Sequence, residues 1–337
     1  MKKEKIWGAL FHLSPDVWTG VWNAQPMSEV FDEAVWRDLV DRAAEAGMNT
    51  LVVDVANAIR YDSHPEIAKA GAYSIDWMRK QVVLCRERGI ALIPKLNFST
   101  EHDAWLGDYA YMVSSKAYYK VAKDLIEEVY DIFDHPEYIH LGMDEESLEC
   151  IKHSEYAVCR QGELYFHDLR YLCDCVSALG AKPWIWSSPL YDMSELFKEK
   201  IAKDEVVISP YYYHAFRPEH YTRIASKPMF AEYYAKYFPD LDIEFVEEDP
   251  YLVNFRLKAL PMMEYGYQYV PCASVDCRCV YNTKEIMEYF KKYANDDQIL
   301  GYITAPWVMT VDNEKTRVYF EETFRFFKEA RQQIYGE

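Results

Sequence analysis

The sequence is short of the features that mark several protein classes. Its 337 residues include only 12 glycines and 15 prolines, too few for a collagenous or low-complexity chain, while 50% are hydrophobic, which excludes intrinsic disorder. The 8 cysteines follow no disulfide-framework spacing, so we expect reduced thiols in a cytoplasmic protein. Neither of the two Cys-x-Cys pairs has the Cys-x-x-Cys spacing of zinc ribbons, and we predict no metal site.

Positive charge and long apolar runs are also scarce. Lys and Arg total 37 against 55 Asp and Glu, which gives a formal net charge of −18. Such a surface repels nucleic-acid phosphates and anionic membranes. No run approaches the ~20 apolar residues that cross a bilayer, and the apolar run at 6–11 is too short for a signal peptide. We therefore expect neither nucleic acid nor a membrane as a partner.

Motifs for cofactors and for common nucleophiles are missing. The phosphate-binding patterns GxGxxG and GxxxxGK[ST] do not occur, so no nucleotide cofactor is predicted. HExxH and GxSxG are absent as well. His12 stands alone in the first candidate strand, where a metal-dependent barrel hydrolase has a His-x-His pair. The sequence therefore indicates chemistry carried by the side chains of the chain itself, with no cofactor.

An alternation of short β-branched or aromatic runs with longer amphipathic stretches, at a step of roughly 40 residues, is typical of a parallel α/β fold. The candidate strands begin at Ile6, Thr50, Ala91, Tyr138, Pro183, Val206, Tyr267 and Leu300. The candidate helices cover 33–46, 75–88, 115–133, 163–179, 283–294 and 314–333, and three of them end at Gly47, Gly89 and Gly180. Eight strands close a (β/α)8 TIM barrel. Because no linker divides the chain, we predict one such domain over 1–337.

One long irregular segment interrupts this rhythm at 217–248. An insertion after a barrel strand falls on the face where barrels bind substrates. The segment is thus a candidate wall of a substrate cleft, and an ordinary irregular connection between a helix and a strand is the alternative.

The fourth candidate strand carries the densest polar cluster. Catalytic residues of such barrels come from the C-terminal ends of strands. In the segment 138–146, His140, Gly142 and Asp144 share one face by the two-residue period, which we assign to the lumen. Three consecutive acids, 144–146, follow. Their repulsion together with partial burial can raise one pKa toward neutrality, as a general acid requires. A solvated acidic turn is the alternative.

Polar and aromatic side chains follow the other strands at the same end. They include Asp54, Asn57, Lys95, Asn97, His102, Trp186, Tyr211, Tyr213, Asp276 and Trp307. Aromatic faces stack on the C–H faces of sugar rings, and short polar side chains hydrogen-bond sugar hydroxyls. The 29 Tyr and 9 Trp of the chain favour a carbohydrate as the binding partner, although most aromatic residues in any barrel pack its core.

The fourth strand resembles the signature of family 20 glycoside hydrolases, the β-N-acetylhexosaminidases. That signature is His-x-Gly-x-Asp-Glu, and residues 140–145 read His-Leu-Gly-Met-Asp-Glu. The segments around 49–66, 93–102, 119–139 and 182–186 are similar to the family as well. The resemblance covers residues 49–188 and fades after them.

The resemblance implies an exo-acting, retaining hydrolysis in which the 2-acetamido oxygen of the sugar attacks its own anomeric carbon. Carried over by position, Asp144 orients the acetamido group and Glu145 is the general acid and then the base. Tyr211 or Tyr213 would hydrogen-bond the acetamido oxygen. The remaining residues of the predicted substrate-binding set are His140, Asn97, His102, Trp186, Asp276 and Trp307.

Departures from the family concern the groups that grip sugar hydroxyls. Family members usually bear an arginine on strand one, and the segment 8–12 has none. Met309 stands where a carboxylate usually follows strand eight, and Lys95 and Asn97 replace two acids of strand three. The identity of the terminal sugar and the need for an N-acetyl group therefore stay open.

Two other functions are compatible with the residues. A retaining glycosidase acting on sugars without an acetamido group would use Glu145 as acid/base and Asp276 as nucleophile, with carboxyl groups ~5 Å apart. A non-catalytic carbohydrate-binding barrel would keep the acids without turnover. The sequence leaves open whether the chain forms a homodimer.

Overall fold

The structure is a computed structural model that describes residues 4–14, 25–146, 156, 158–213, 215–217, 262–276 and 279–336. Its described strands are all parallel to their neighbours and form one sheet in the order β7-β6-β5-β4-β3-β2-β1-β9-β8. Their bounds are β1 Ile6–His12, β2 Thr50–Asp54, β3 Ala91–Lys95, β4 Tyr138–His140, β5 Lys182–Trp186, β6 Val207–Ser209, β7 Gln268–Tyr269, β8 Cys272–Ser274 and β9 Gly301–Ala305.

The sheet closes on itself because β7 and β8 are two halves of one barrel strand. β7 pairs with β6, and β8 pairs with β9. At the break, the Val270 N–H donates to the Ile208 carbonyl at 2.9 Å, while the Pro271 carbonyl accepts from the Ile303 N–H at 3.0 Å. The segment thus bonds to both neighbours, and the ring has the eight strand positions of a TIM barrel. The predicted (β/α)8 fold is confirmed.

Helices surround this ring. In the described part of the chain they are α1 Met27–Val30, α2 Glu33–Glu45, α3 Ile75–Glu87, α4 Lys116–Ile132, α5 Gly162–Ala178, α6 Ser188–Asp192, α7 Ser194–Lys200, α8 Asn282–Tyr293 and α9 Glu314–Tyr335, with short 3-10 helices at Pro65–Ile67 and Ala104–Met112. The six predicted helices are present with bounds within two residues of those expected. Helix ends follow local chemistry, since Ser115 caps the first turn of α4 and glycines in the left-handed region terminate α2 and α3.

The strands bury both faces, as parallel strands covered by helices do. Trp7 and Phe11 of β1 point outward, and the Phe11 ring lies 5.2 Å from that of Phe320 on α9. Ile6 and Leu10, which alternate with this set, point inward and join a second buried cluster in the lumen. The strand ends are therefore packed rigidly, and side chains just beyond them have fixed positions.

Some predictions fall outside what the structure describes. The candidate insertion at 217–248 lies, apart from residue 217, outside the described residues. The single domain over 1–337, the cytoplasmic location and the question of a homodimer stay as the sequence left them. Among the described helices, none is sufficiently long and apolar to pass through a membrane.

Candidate active site

The backbone turns sharply over residues 141–146, directly after β4, and we call this segment the coil. Gly142, Met143 and Glu145 have φ angles of 72°, 63° and 49°. Side chains in this left-handed region cost about 1–3 kcal/mol each and gather at functional sites. Glycine is required at position 142, because a Cβ atom there would lie 1.9 Å from Oδ1 of Asn97. The coil presents two acids in succession above the end of the strand.

Neighbouring elements hold this strained coil in place. The Trp186 N–H donates to the Gly142 carbonyl at 2.9 Å, which links the coil to β5. The Tyr165 hydroxyl of α5 donates to the Met143 carbonyl at 2.9 Å. Beneath them, Nδ1 of His140 accepts the Gly142 N–H at 3.1 Å. The conformation of the coil is therefore determined by contacts from three directions.

Asp144 is buried and held by the segment that follows β3. Its Oδ1 accepts from Asn97 Nδ2 at 3.3 Å and from Ser99 Oγ at 3.0 Å. Burial raises the pKa of Asp144, and the charge of Glu145 raises it further, against the opposing charge of His102. The predicted residue Asn97 therefore contacts Asp144. Ser99 contacts it as well and was not predicted from the sequence, where only its position two residues after Asn97 could have indicated it.

Glu145 is paired with His102. Its Oε2 lies 2.6 Å from His102 Nε2. Burial acts to lower the pKa of His102, but the hydrogen bond to Glu145 and the charge of Asp144 outweigh it and raise that pKa to about 9. Burial acts to raise the pKa of Glu145, but the hydrogen bond from His102 together with the charges of His102 and Lys95 lowers it. The acidic cluster does shift a pKa upward, as expected, but at Asp144, whereas Glu145 shares the proton of His102.

The His102 pair should stabilise the fold in a pH-dependent way. A folded-state pKa of about 9 against the ordinary value of 6.5 contributes about 3 kcal/mol that is complete below pH 6.5 and lost as pH rises through 9. We expect the free energy of unfolding of the wild type to exceed that of His102→Gln most at pH 6. Urea denaturation of both proteins between pH 6 and 9.5 measures this difference. A difference that stays constant over the range would contradict the assignment.

A buried ion pair lies below the acids. Lys95 Nζ is 2.5 Å from Asp54 Oδ2, and His12 Nδ1 is 3.4 Å from the same oxygen. Burial acts to raise the pKa of Asp54, but the charge of Lys95 and the contact with His12 hold it well below the usual range. The charge of Lys95 also lowers the pKa of Glu145. Lys95, which replaces an acid of the family pattern, therefore provides buried positive charge beneath the pair.

Four aromatic side chains form a wall beside the acids. Ring centroids are 5.4 Å apart for Trp186 and Tyr211, 5.7 Å for Tyr211 and Tyr213, 5.9 Å for Tyr213 and Trp307, and 5.8 Å for Trp307 and Trp186. Burial raises the pKa of both tyrosines, and the charges of the two acids raise it further. The structure thus gathers the four predicted aromatic residues, which we call the aromatic wall, next to the acids.

Two predicted residues take other positions. His140 is fully buried beneath the wall, 4.8 Å from the Trp186 ring, and burial keeps its pKa well below the ordinary value. Asp276 faces α9: its carbonyl accepts the Tyr319 hydroxyl at 3.4 Å, and the charge of Lys315 acts on its carboxyl. Within the described residues, no contact joins the Asp276 carboxylate to the acids after β4. The predicted roles of His140 and Asp276 stay predictions.

The acids and His102 could also offer metal ligands. One ligand atom from each of His102, Asp144 and Glu145 lies within 4.8 Å of the others. The direct hydrogen bond of 2.6 Å between His102 and Glu145 leaves no room for an ion between those two atoms. The arrangement fits proton exchange better than ligation.

An open cavity adjoins this cluster. It has a volume of about 710 Å³, and Asp144, Tyr165 and Tyr191 are among its lining residues. It lies between the segments that follow β4 and β5, on the C-terminal face of the barrel. Its size is in the range of small-molecule binding sites.

Comparison with known proteins gives structural matches alone. No protein-family model and no curated protein matches the sequence. A family 20 β-N-acetylglucosaminidase matches with a TM-score of 0.61 and 13% identity over 96% of this chain and 68% of that one. β-N-acetylhexosaminidase from Bacteroides fragilis NCTC 9343 matches with a TM-score of 0.60 and 14% identity, over 96% of this chain and 65% of that one. N-acetyl-β-hexosaminidase from Streptomyces plicatus matches with a TM-score of 0.62 and 11% identity, over 98% of this chain and 68% of that one.

The chain thus spans between 65% and 68% of the length of these three enzymes. At such low identity, the likeness establishes the fold and leaves the activity to the residues of the site. The protein has the barrel fold of the family 20 glycoside hydrolases, as the motif at 140–145 implied.

Proposed function

We propose that the protein is an exo-acting glycoside hydrolase of the β-N-acetylhexosaminidase type, with a retaining, substrate-assisted mechanism. The observation that carries the proposal is the pair Asp144 and Glu145, which stand side by side at the end of β4 with different partners and shifts of pKa in opposite directions. Two titratable groups driven apart by their surroundings are suited to two different roles.

Asp144 is suited to orient the acetamido group. Its Oδ1 is occupied by Asn97 and Ser99, so the other oxygen is the one that would accept the acetamido N–H. The nitrogen gains positive charge as the acetamido oxygen forms its bond to the anomeric carbon. A carboxylate poorly solvated by burial, as the raised pKa of Asp144 indicates, interacts more strongly with charge that develops in the transition state.

Glu145 is suited to move the proton. As the bond between the anomeric carbon and the leaving oxygen breaks, Glu145 gives its proton to that oxygen, and His102 at 2.6 Å supplies the proton that makes Glu145 an acid. Water then attacks the anomeric carbon, the bond to the acetamido oxygen breaks, and the Glu145 carboxylate takes the proton of the water. Two displacements at one carbon retain its configuration.

The aromatic wall is suited to hold the sugar and its acetamido group. The partly exposed indole of Trp307 offers a face for C–H groups, and the buried indole of Trp186 packs 5.8 Å behind it. The hydroxyls of Tyr211 and Tyr213 stay protonated because burial raises the pKa of both, and either can donate to the acetamido oxygen. The wall therefore supports a substrate with an N-acetyl group.

A panel of aryl glycosides tests the proposal. We expect nitrophenol release from the β-N-acetylglucosaminide or the β-N-acetylgalactosaminide and none from the β-glucoside or β-galactoside, because only the former carry the internal nucleophile. Proton NMR of the product should show the β anomer first. Release from the plain hexosides alone would contradict the proposal and point to an enzyme nucleophile such as Asp276. Silence across the panel, with sugar binding detected by calorimetry, would favour a binding barrel.

A further inference from the structure

A buried arginine holds the acid that follows the proposed catalytic pair. The Arg160 side chain is 0% exposed, and its Nε donates to Glu146 Oε2 at 2.9 Å while Nη2 donates to Glu146 Oε1. Nη1 donates to Asp168 Oδ2 on α5 at 3.0 Å, and Nη2 also donates to the Phe98 carbonyl at 2.8 Å. None of these groups has a role in the proposed reaction.

The guanidinium joins the two segments that carry the proposed chemistry. Glu146 belongs to the coil after β4, directly next to Glu145. Phe98 belongs to the segment 97–102 after β3, which supplies the partners of both acids. Glu146 Oε1 also accepts the Thr100 N–H of that segment at 3.1 Å. The distance between His102 and Glu145 therefore depends on the contacts of Glu146, the residue that follows Glu145.

The contact between Arg160 and Glu146 fixes the geometry of the segment more than it stabilises the fold. A buried ion pair loses about as much solvation as it gains in attraction, so it contributes little net stability, whereas a bidentate arginine to carboxylate contact fixes both position and angle. The backbone of the coil is strained at Met143 and Glu145, and strained segments persist only where surrounding contacts determine them. Arg160 supplies such contacts from the side of α5.

We propose that Arg160 is a positioning residue for the catalytic pair: through Glu146 and the Phe98 carbonyl, it holds the coil after β4 against the segment after β3 so that His102 meets Glu145. Its effect on turnover rests on the proposed function, whereas its effect on the contact between His102 and Glu145 does not.

Two variants test this role with a matched control. Arg160→Lys keeps the charge but cannot hold both Glu146 oxygens, and Glu146→Gln keeps the shape but weakens the pair. We expect kcat to fall about ten- to a hundredfold with KM nearly unchanged, because misplacement of a reacting group acts on the transition state. The double variant should be no worse than Arg160→Lys alone. Arg331→Lys, which alters a contact with Gly47 at the end of α2, should keep kcat unchanged.

A second measurement needs no substrate. The charged groups that face His102 are Glu145, Asp144 and Lys95, and neither variant alters them. We expect NMR titration of the His102 imidazole, assigned with His102→Gln, to give a pKa of about 9 in the wild type and a value closer to 6.5 in Arg160→Lys and Glu146→Gln. If Arg160→Lys fails to fold, Glu146→Gln carries the test.

The outcomes separate the two proposals. An unchanged His102 titration in a folded variant would overturn the positioning role, and so would a loss of kcat that only follows the loss of thermal stability. A shifted titration in a protein that cleaves none of the aryl glycosides would support the positioning role and count against the proposed function.

Discussion

Glu145→Gln is expected to lower kcat about 10³- to 10⁴-fold on an N-acetyl-β-hexosaminide with a poor leaving group, with KM nearly unchanged. The amide keeps the shape of the side chain and a contact with His102, but it has no proton to give to the leaving oxygen. Steady-state kinetics on a disaccharide and on aryl glycosides measures the loss. The loss of kcat should become smaller as the phenol of the aryl glycoside becomes more acidic, because a good leaving group needs less protonation.

Glu127→Gln is the matched control for this change. Glu127 lies on the outer helix α4, 45% exposed and paired with Lys123, so its replacement should leave kcat unaltered. An equal loss for all leaving groups would argue that Glu145 has a structural role rather than an acid role. Retention of full activity in Glu145→Gln would remove this residue from the mechanism.

Asp144→Asn is expected to lower activity without lowering stability. The amide cannot offset positive charge at the acetamido nitrogen, and loss of one such preorganised group costs about 10²- to 10³-fold in kcat. The raised pKa of Asp144 means that its charged form destabilises the fold above pH 3.8, and the neutral amide avoids this penalty. We therefore expect a Tm at pH 7 equal to or above that of the wild type, measured by calorimetry beside the kinetics.

Asp131→Asn is the control for the second change. Asp131 is 62% exposed on α4 and pairs with Arg79, so that variant should change neither kcat nor Tm appreciably. A large fall in Tm for Asp144→Asn would show that the carboxylate supports the fold. Full activity on N-acetyl sugars in that variant would contradict a role in orienting the acetamido group.

Local patterns were sufficient to predict the elements of the barrel. Each of the eight predicted strand starts lies within one residue of the start of an observed strand, because two-residue and helical periodicities are properties of neighbouring residues. The division of the seventh strand into β7 and β8 was not predicted. The resemblance of residues 140–145 to the family 20 signature pointed to Asp144 and Glu145, and the roles of these two acids stay a prediction. All four residues of the aromatic wall were also predicted from the sequence, since residues just beyond parallel strands meet on one face.

Local patterns could not predict which side chains contact one another in the fold. The sequence placed His102 and Asn97 in the substrate-binding set, and the fold set them against Glu145 and Asp144. It indicated a raised pKa among three acids, but the pKa is raised at Asp144 and lowered at Glu145 because only Glu145 receives the hydrogen bond from His102.

Residue types and their spacing along the chain therefore determined the (β/α)8 architecture and the elements that build it, because these depend on short-range periodicity. The two proposed catalytic acids came from the resemblance at 140–145. The tertiary fold alone decided which acid is held by Ser99 and which by His102, and that Arg160 binds Glu146 beside them. Ser99 and His102 follow a different strand from the acids, and Arg160 lies 14 residues beyond Glu146 along the chain. Burial and charge at a site are sums over such distant neighbours, and no local pattern contains them.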